Sequence, residues 1–150
     1  MTEDKAASQA LLRLLTLANR SVDICNPEPL SPILNRAEVI SELMRVSRRG
    51  PFSMVRVLIS RIESDLSRRN VWVKQLLRVP TKAQLRELPN HPDWRPETVV
   101  MIDGAHGLLL RSDAEAIFTP LEEASVRRRQ NHFEALWQQA HISPELARIS

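Results

Sequence analysis

The apolar positions change period several times along the chain, and each change marks an element. From Ala6 to Asn19 the residues Ala7, Ala10, Leu11, Leu14, Leu15 and Ala18 recur at helical spacing, which predicts an amphipathic helix. Ser21-Val22-Asp23-Ile24-Cys25 alternates as a short strand does, and Asn26-Pro27-Glu28-Pro29 stops it. A second helix is expected after Asn35, with Asn35 and Glu38 as a capping pair. Its inward face would be Ala37, Ile40, Leu43, Met44 and Ser47, and Gly50-Pro51 would end it. Met54 to Ile59 is rich in β-branched residues and nearly all apolar, as a strand buried on both faces is.

The second half continues the alternation. Ser64 or Asp65 can cap a third helix reaching Leu77, with Val73, Leu76 and Leu77 inward. Lys82 to Leu88 reads as a strand, and the prolines and asparagine from Asn90 to Pro96 read as loop. Thr98 to Ile102 is a buried strand, Asp103-Gly104 a tight turn, and Gly107 to Arg111 the returning strand of a hairpin. Thr119, Pro120 and Glu122 match the order of cap, first position and third position of a last helix. That helix would run to Ala140 with Val126, Phe133, Leu136, Trp137 and Ala140 as its stripe. Strands alternating with amphipathic helices predict an α/β fold, a mixed sheet with helices on both sides, in a single domain over 1–150.

Composition narrows the class. A chain of 150 residues, 43% hydrophobic and 26% charged, has the make-up of a globular domain with a core of its own. No apolar run reaches the length of a membrane span, so no membrane role is expected. Met1 to Lys5 lacks a leader pattern and Cys25 is the single cysteine, both of which fit a reducing cytoplasm. A net charge of +3 is mildly basic. Three glycines and no tyrosine argue against Gly-rich phosphate loops and tyrosine stacking platforms. His91, His106, His132 and His141 have no metal-ligand spacing, so neither a metal nor another cofactor is expected.

Three stretches in order give the chain an outline. A helix leads into Arg20-Ser21-Val22-Asp23-Ile24; Arg48-Arg49-Gly50 leads into Val55-Arg56-Val57-Leu58-Ile59; and Val99-Val100-Met101-Ile102-Asp103-Gly104 ends in a hairpin. In this the chain resembles one half of a phospholipase-D-like protein, and in particular a bacterial branch of that superfamily that lacks the His-x-Lys-x4-Asp motif. If Asp103 stands for the motif aspartate, the histidine falls at 96 and the lysine at 98, which here are Pro96 and Thr98. The motif's chemistry needs an imidazole nucleophile and a cation on the phosphate. Proline and threonine supply neither, so the resemblance implies a domain that binds rather than cleaves. Because phospholipase-D-like halves pair, it also implies a homodimer or a protein partner.

The candidate site residues follow from this. Asp103 is either a relic of the motif or ordinary hairpin-turn chemistry. Arg48, Arg49, Arg68, Arg69, Arg127 and Arg128 are candidate phosphate or nucleic-acid contacts, set against a solvated charged face. Trp94 beside Arg95 is a candidate partner contact, since exposed tryptophan and arginine recur at interface hot spots. The leading expectation is a non-catalytic binding domain. Nucleic-acid binding by clustered arginines, and an enzyme with a site of another kind, are the alternatives.

Overall fold

The computed structural model describes residues 2–26, 32–60, 70–89, 91–92, 94, 97–111 and 118–142. Within them four α-helices, α1 (Thr2–Thr16), α2 (Ala37–Arg48), α3 (Val71–Leu76) and α4 (Glu123–Gln139), accompany six strands. The strands are β1 (Ser21–Asn26), β2 (Met54–Ile59), β3 (Ala83–Glu87), β4 (Glu97–Ile102), β5 (His106–Arg111) and β6 (Phe118–Leu121). They form one sheet in the order β3-β2-β1-β4-β5-β6. β1, β2 and β3 are parallel, while β4 runs against β1 and the remaining neighbours are antiparallel. Parallel neighbours need long crossovers and antiparallel ones need only turns, so the helices between strands cluster in the first half of the chain.

The pleat sends alternate residues to opposite faces, and the two faces are covered differently. Val22 and Ile24, Val55, Val57 and Ile59, Ala83 and Leu85, Val100 and Ile102, and Leu108 and Leu110 join α1, α2 and α3 in one apolar core. Those helices contribute Leu11, Leu15, Leu43, Met44, Trp72 and Leu76, among others. On the other face, among the described residues, Leu58, Val99 and Met101 meet α4 through Val126, Phe133, Leu136 and Trp137, with Leu88 in the same cluster.

Gly107 explains how α4 comes so close to β5. A Cβ there would stand 3.0 Å from Leu121 Cδ1, 3.1 Å from Val126 Cγ2 and 3.3 Å from the Val100 carbonyl. At the end of the hairpin, Asp103 (φ 53°) and Gly104 (φ 65°) both adopt left-handed backbone. Tight hairpin turns that match the strand twist require this, and aspartate and glycine tolerate it.

Three expectations need correction. Asn35 does not cap α2. It ends a 3₁₀ turn over Pro32–Asn35, Arg36 takes the cap position without a side-chain bond, and the Asn35 amide turns toward Asn70 and the Trp72 N–H. The face of α2 rotates accordingly, so that Val39 and Val46 are buried with Leu43, Met44 and Ser47, while Ala37 is exposed.

Thr119 and Pro120 do not start α4 either. They lie in β6, which pairs with β5 through Leu108↔Pro120 and Leu109↔Thr119. Phe118 and Leu121 pack into opposite cores, and an edge strand tolerates a proline that has no N–H to donate. The helix begins one turn later, with Glu122 at its cap. Finally, the third helix starts at Val71 after an extended Asn70, so it does not run unbroken from a cap at Ser64 or Asp65, which lie outside the described residues.

Candidate binding cleft on the one-helix face

On the α4 side two adjacent strands carry opposite charges into the interior. Asp23 of β1 is 2% exposed and lies in register with Arg56 of β2. Arg56 Nε donates to Asp23 Oδ1 at 2.8 Å and Nη2 to Oδ2 at 3.2 Å, the bidentate geometry that makes such pairs strong. The same guanidinium reaches Glu134 of α4, with Nη1 donating to Oε2 at 3.1 Å. Gln130, one turn earlier on α4, donates to Asp23 Oδ2 at 2.9 Å.

Burial works against the charge of Arg56, but the hydrogen bonds it donates to Glu134 and Asp23 outweigh it and hold the guanidinium protonated more firmly than usual. The hydrogen bond from Arg56 in turn holds the Glu134 carboxyl below the usual glutamate range. Arg56 also lies 5.0 Å from the Phe133 ring centroid and 5.4 Å from that of Trp137. Those two rings stack with centroids 5.6 Å apart.

Arg86 of β3 completes the seat of the helix. It sits 4.4 Å over the Trp137 ring and donates to the Trp137 carbonyl at 2.9 Å, so it accepts the load of a helix end as well as a cation–π contact. Beyond α4, the backbone of His141 bridges Glu87 in both directions, at 2.8 and 3.1 Å, and so covers one point on the β3 edge.

Beside this network α4 stands away from β4 and leaves a cleft of about 460 Å³. Its helix wall is Arg129, His132, Phe133 and Leu136; its sheet wall is Cys25, Glu97, Val99 and Met101, with Trp94 closing one side. The Trp94 indole is fixed by donating Nε1–H to the Leu88 carbonyl at 2.6 Å. Burial pushes the Cys25 thiol up to about 12 against a lowering pull from Arg129, so it is protonated and unreactive at neutral pH. A shallower hollow over the same helix is lined by Ser125, Arg128, Arg129 and His132, so the two share a basic edge.

The predicted residues scatter. Asp103 lies at the far end of β4 from Glu97, outside the cleft lining. Its carboxylate accepts the backbone N–H groups of Asn19 (2.9 Å), Arg20 (2.8 Å) and Ser21 (3.0 Å), tying the hairpin to the entry of β1. Burial opposes ionisation there, but the N–H groups of Ser21, Arg20 and Asn19 and the nearby His106 prevail and keep the carboxyl below its ordinary range.

Thr98 is 0% exposed and shares its strand face with Val100 and Ile102, which belong to the three-helix core. Arg48 and Arg49 end α2 on that three-helix side, whereas Arg127 and Arg128 lie on α4 across the sheet, so the pairs do not converge. Arg68, Arg69, Arg95 and Pro96 lie outside the described residues.

Sequence reasoning passed over Arg129, His132, Glu97 and Cys25 as cleft residues. The available signal was the spacing of Arg129, Phe133 and Leu136, which places a cation at the end of an apolar helical stripe.

Residues 3–149 match the family described as a domain of unknown function, DUF7931. The chain belongs to this family. No curated protein sequence matches it. Among solved structures it is similar to Nuc of Salmonella typhimurium, a phospholipase D family member, with TM-score 0.62 and 14% identity over 90% of each chain. It is also similar to NucT of Helicobacter pylori, with TM-score 0.67 and 12% identity over 95% of this chain and 94% of that one. A third similar structure is TrmBL2, an archaeal chromatin protein with a novel mode of DNA binding, at TM-score 0.64 and 14% identity over 93% of this chain and 51% of that one. The fold is therefore phospholipase-D-like, a six-stranded mixed sheet flanked by helices. Among the described residues no helix is long and apolar enough to cross a membrane.

Proposed function

We propose that this DUF7931 domain is a non-catalytic phospholipase-D-like binding domain that acts through a protein partner or a second copy of itself. The observation that carries the reading is position 98. There the resemblance requires a lysine on the phosphate, and the chain has a threonine with no exposed surface, turned into the three-helix core. Pro96 at the nucleophile position and the commitment of the Asp103 carboxylate to three backbone N–H groups support it. A phosphodiesterase assay tests it, with bis(p-nitrophenyl) phosphate and with single- and double-stranded DNA. The expected turnover is that of the blank. Turnover that travels with the purified chain and disappears in Asp103→Asn, or in the exposed-site variant His106→Ala, overturns the reading. Light scattering should then give twice the 17.2 kDa chain mass if the partner is a second copy.

A second reading, nucleic-acid binding, has one specific support: Arg128 and Arg129 open together onto the hollow over α4. TrmBL2, an archaeal chromatin protein with a novel mode of DNA binding, is among the similar structures. Phosphate contacts made by cations release counterions, so this reading predicts retention of DNA on filters at low salt that falls steeply as salt rises. Absence of retention at low salt dismisses it.

A further inference from the structure

Arg129 and Glu97 line the same cleft from opposite walls. Arg129 is half-buried, on a helix whose other guanidinium contacts are taken: Arg56 by Asp23 and Glu134, Arg86 by the Trp137 carbonyl. Among the described residues neither Arg129 nor Glu97 has an ion-pair partner, and they are not paired with each other. Two opposite charges held apart across a partly desolvated space interact more strongly with a guest than exposed charges do, because solvent screens them less. Trp94, Val99, Met101, Phe133 and Leu136 give the space between them apolar surface beside the polar groups, and its volume of about 460 Å³ falls in the range of small-molecule sites.

We propose that this cleft binds a small, planar, apolar molecule carrying an anionic group at one end and a hydrogen-bond donor at the other. The anion meets Arg129, with His132 beside it on the same wall. The flat body lies against the Trp94 indole and the apolar floor, and the donor faces the Glu97 carboxylate. The fixed indole is pre-organised for this role, since its Nε1–H is already spent on the Leu88 carbonyl. Glu97 lies between the two motif positions, Pro96 and Thr98, but the proposal does not depend on whether the domain is catalytic.

The probe is 2-anilinonaphthalene-6-sulfonate, whose aryl body carries a sulfonate at one end and an N–H donor at the other. Its uncharged analogue N-phenyl-2-naphthylamine is the control. Fluorescence titration of the full chain should show saturable binding at one equivalent. Arg129→Gln should weaken the sulfonate by about tenfold or more, the scale of one lost charge-assisted contact, and leave the neutral analogue unchanged. Arg127→Gln, an exposed cation two residues earlier on the same helix, should stay within about twofold of the parent. Equal losses in the two variants, an equal loss for both dyes, or no saturable binding each overturn the proposal.

Should the variant melt earlier than the parent, the parent alone still decides. In ¹H–¹⁵N spectra the sulfonate should shift the Trp94 indole signal and leave that of Trp72, buried in the other core. An unmoved Trp94 signal overturns the site. Failure here leaves the phosphodiesterase result untouched, and cleavage in that assay leaves this site untouched.

Discussion

The two faces of the sheet solve the same covering problem in different ways. The α1–α2–α3 face is an apolar layer in which the largest enclosed side chains include Leu11, Leu15, Ile24, Leu34, Leu43, Trp72 and Leu76. On the α4 face a single helix lies over the sheet among the described residues, and Asp23 is buried and Arg56 half-buried in the seam. Apolar packing is insensitive to direction, whereas a bidentate ion pair fixes the position of what it joins. The second face thus trades breadth of burial for a specified helix position, and the strip that α4 leaves uncovered is the cleft. Purely apolar covering and ion-paired seating are divided between the faces.

Substitutions can break that division, and the largest effect is expected in the ion pair. Arg56→Met should cost about 3–5 kcal/mol in urea unfolding, because it leaves the Asp23 carboxylate buried without its partner. Adding Asp23→Leu should recover most of the loss, since replacing both partners removes the stranded charge. If the single and double variants are equally unstable, the pair does not seat the helix. On the other face, Leu11→Ala should cost about 2–5 kcal/mol by cavity formation. Unlike Arg56→Met, it should leave the acid dependence of stability unaltered.

That acid dependence is the next test. The Glu134 carboxyl sits below its ordinary value of 4.5 because Arg56 donates to it. A carboxyl depressed by folding contributes fully above its unfolded value and loses the contribution as pH falls through the folded value. Melting temperature should therefore hold above about pH 4.5 and drop below it, and the Glu134 share of the drop should be absent in Arg56→Met. A drop of the same size in both proteins places the acid sensitivity elsewhere.

Smaller effects concern the hairpin that bounds the α4 face. Asp103→Ala should cost about 1.5–3 kcal/mol, the loss of charge-assisted bonds to three backbone N–H groups. Asp103→Asn should cost less, because asparagine keeps an acceptor and tolerates the left-handed φ of 53°. Gly104→Ala, at φ 65°, should cost about 1–2 kcal/mol from backbone strain alone. Equal costs for the alanine and asparagine variants at Asp103 would show that its carboxylate is not what ties the hairpin to β1.

The sequence carried the regular elements well where periodicity was strong. The strands at Ser21, Met54 and Thr98, the Asp103-Gly104 turn and the stripe of α4 all stand close to where the pattern puts them. It misled at element starts. Thr119-Pro120 has the composition of a helix start, yet pairing with β5 and the burial of Phe118 and Leu121 on opposite faces prevailed over that local preference. Asn35 has the composition of a cap, yet it faces Asn70 and Trp72 instead. Local signals compete with contacts between residues far apart in the chain, and a cap worth about 1 kcal/mol yields to strand pairing and partly buried apolar contacts.

By itself the sequence determined the α/β class, the phospholipase-D-like outline and the proline and threonine at positions 96 and 98, because period, order and residue identity are all one-dimensional properties. Only the tertiary structure decided that Arg56 joins Asp23 to Glu134, that Arg48 and Arg127 stand on opposite sides of the sheet, and that Arg129 and Glu97 face each other across the cleft. Those pairings depend on which face each strand presents and how far α4 stands from β4. Residues 23 and 134, or 97 and 129, come together through the sheet's order and the close approach at Gly107, which no local stretch of chain encodes.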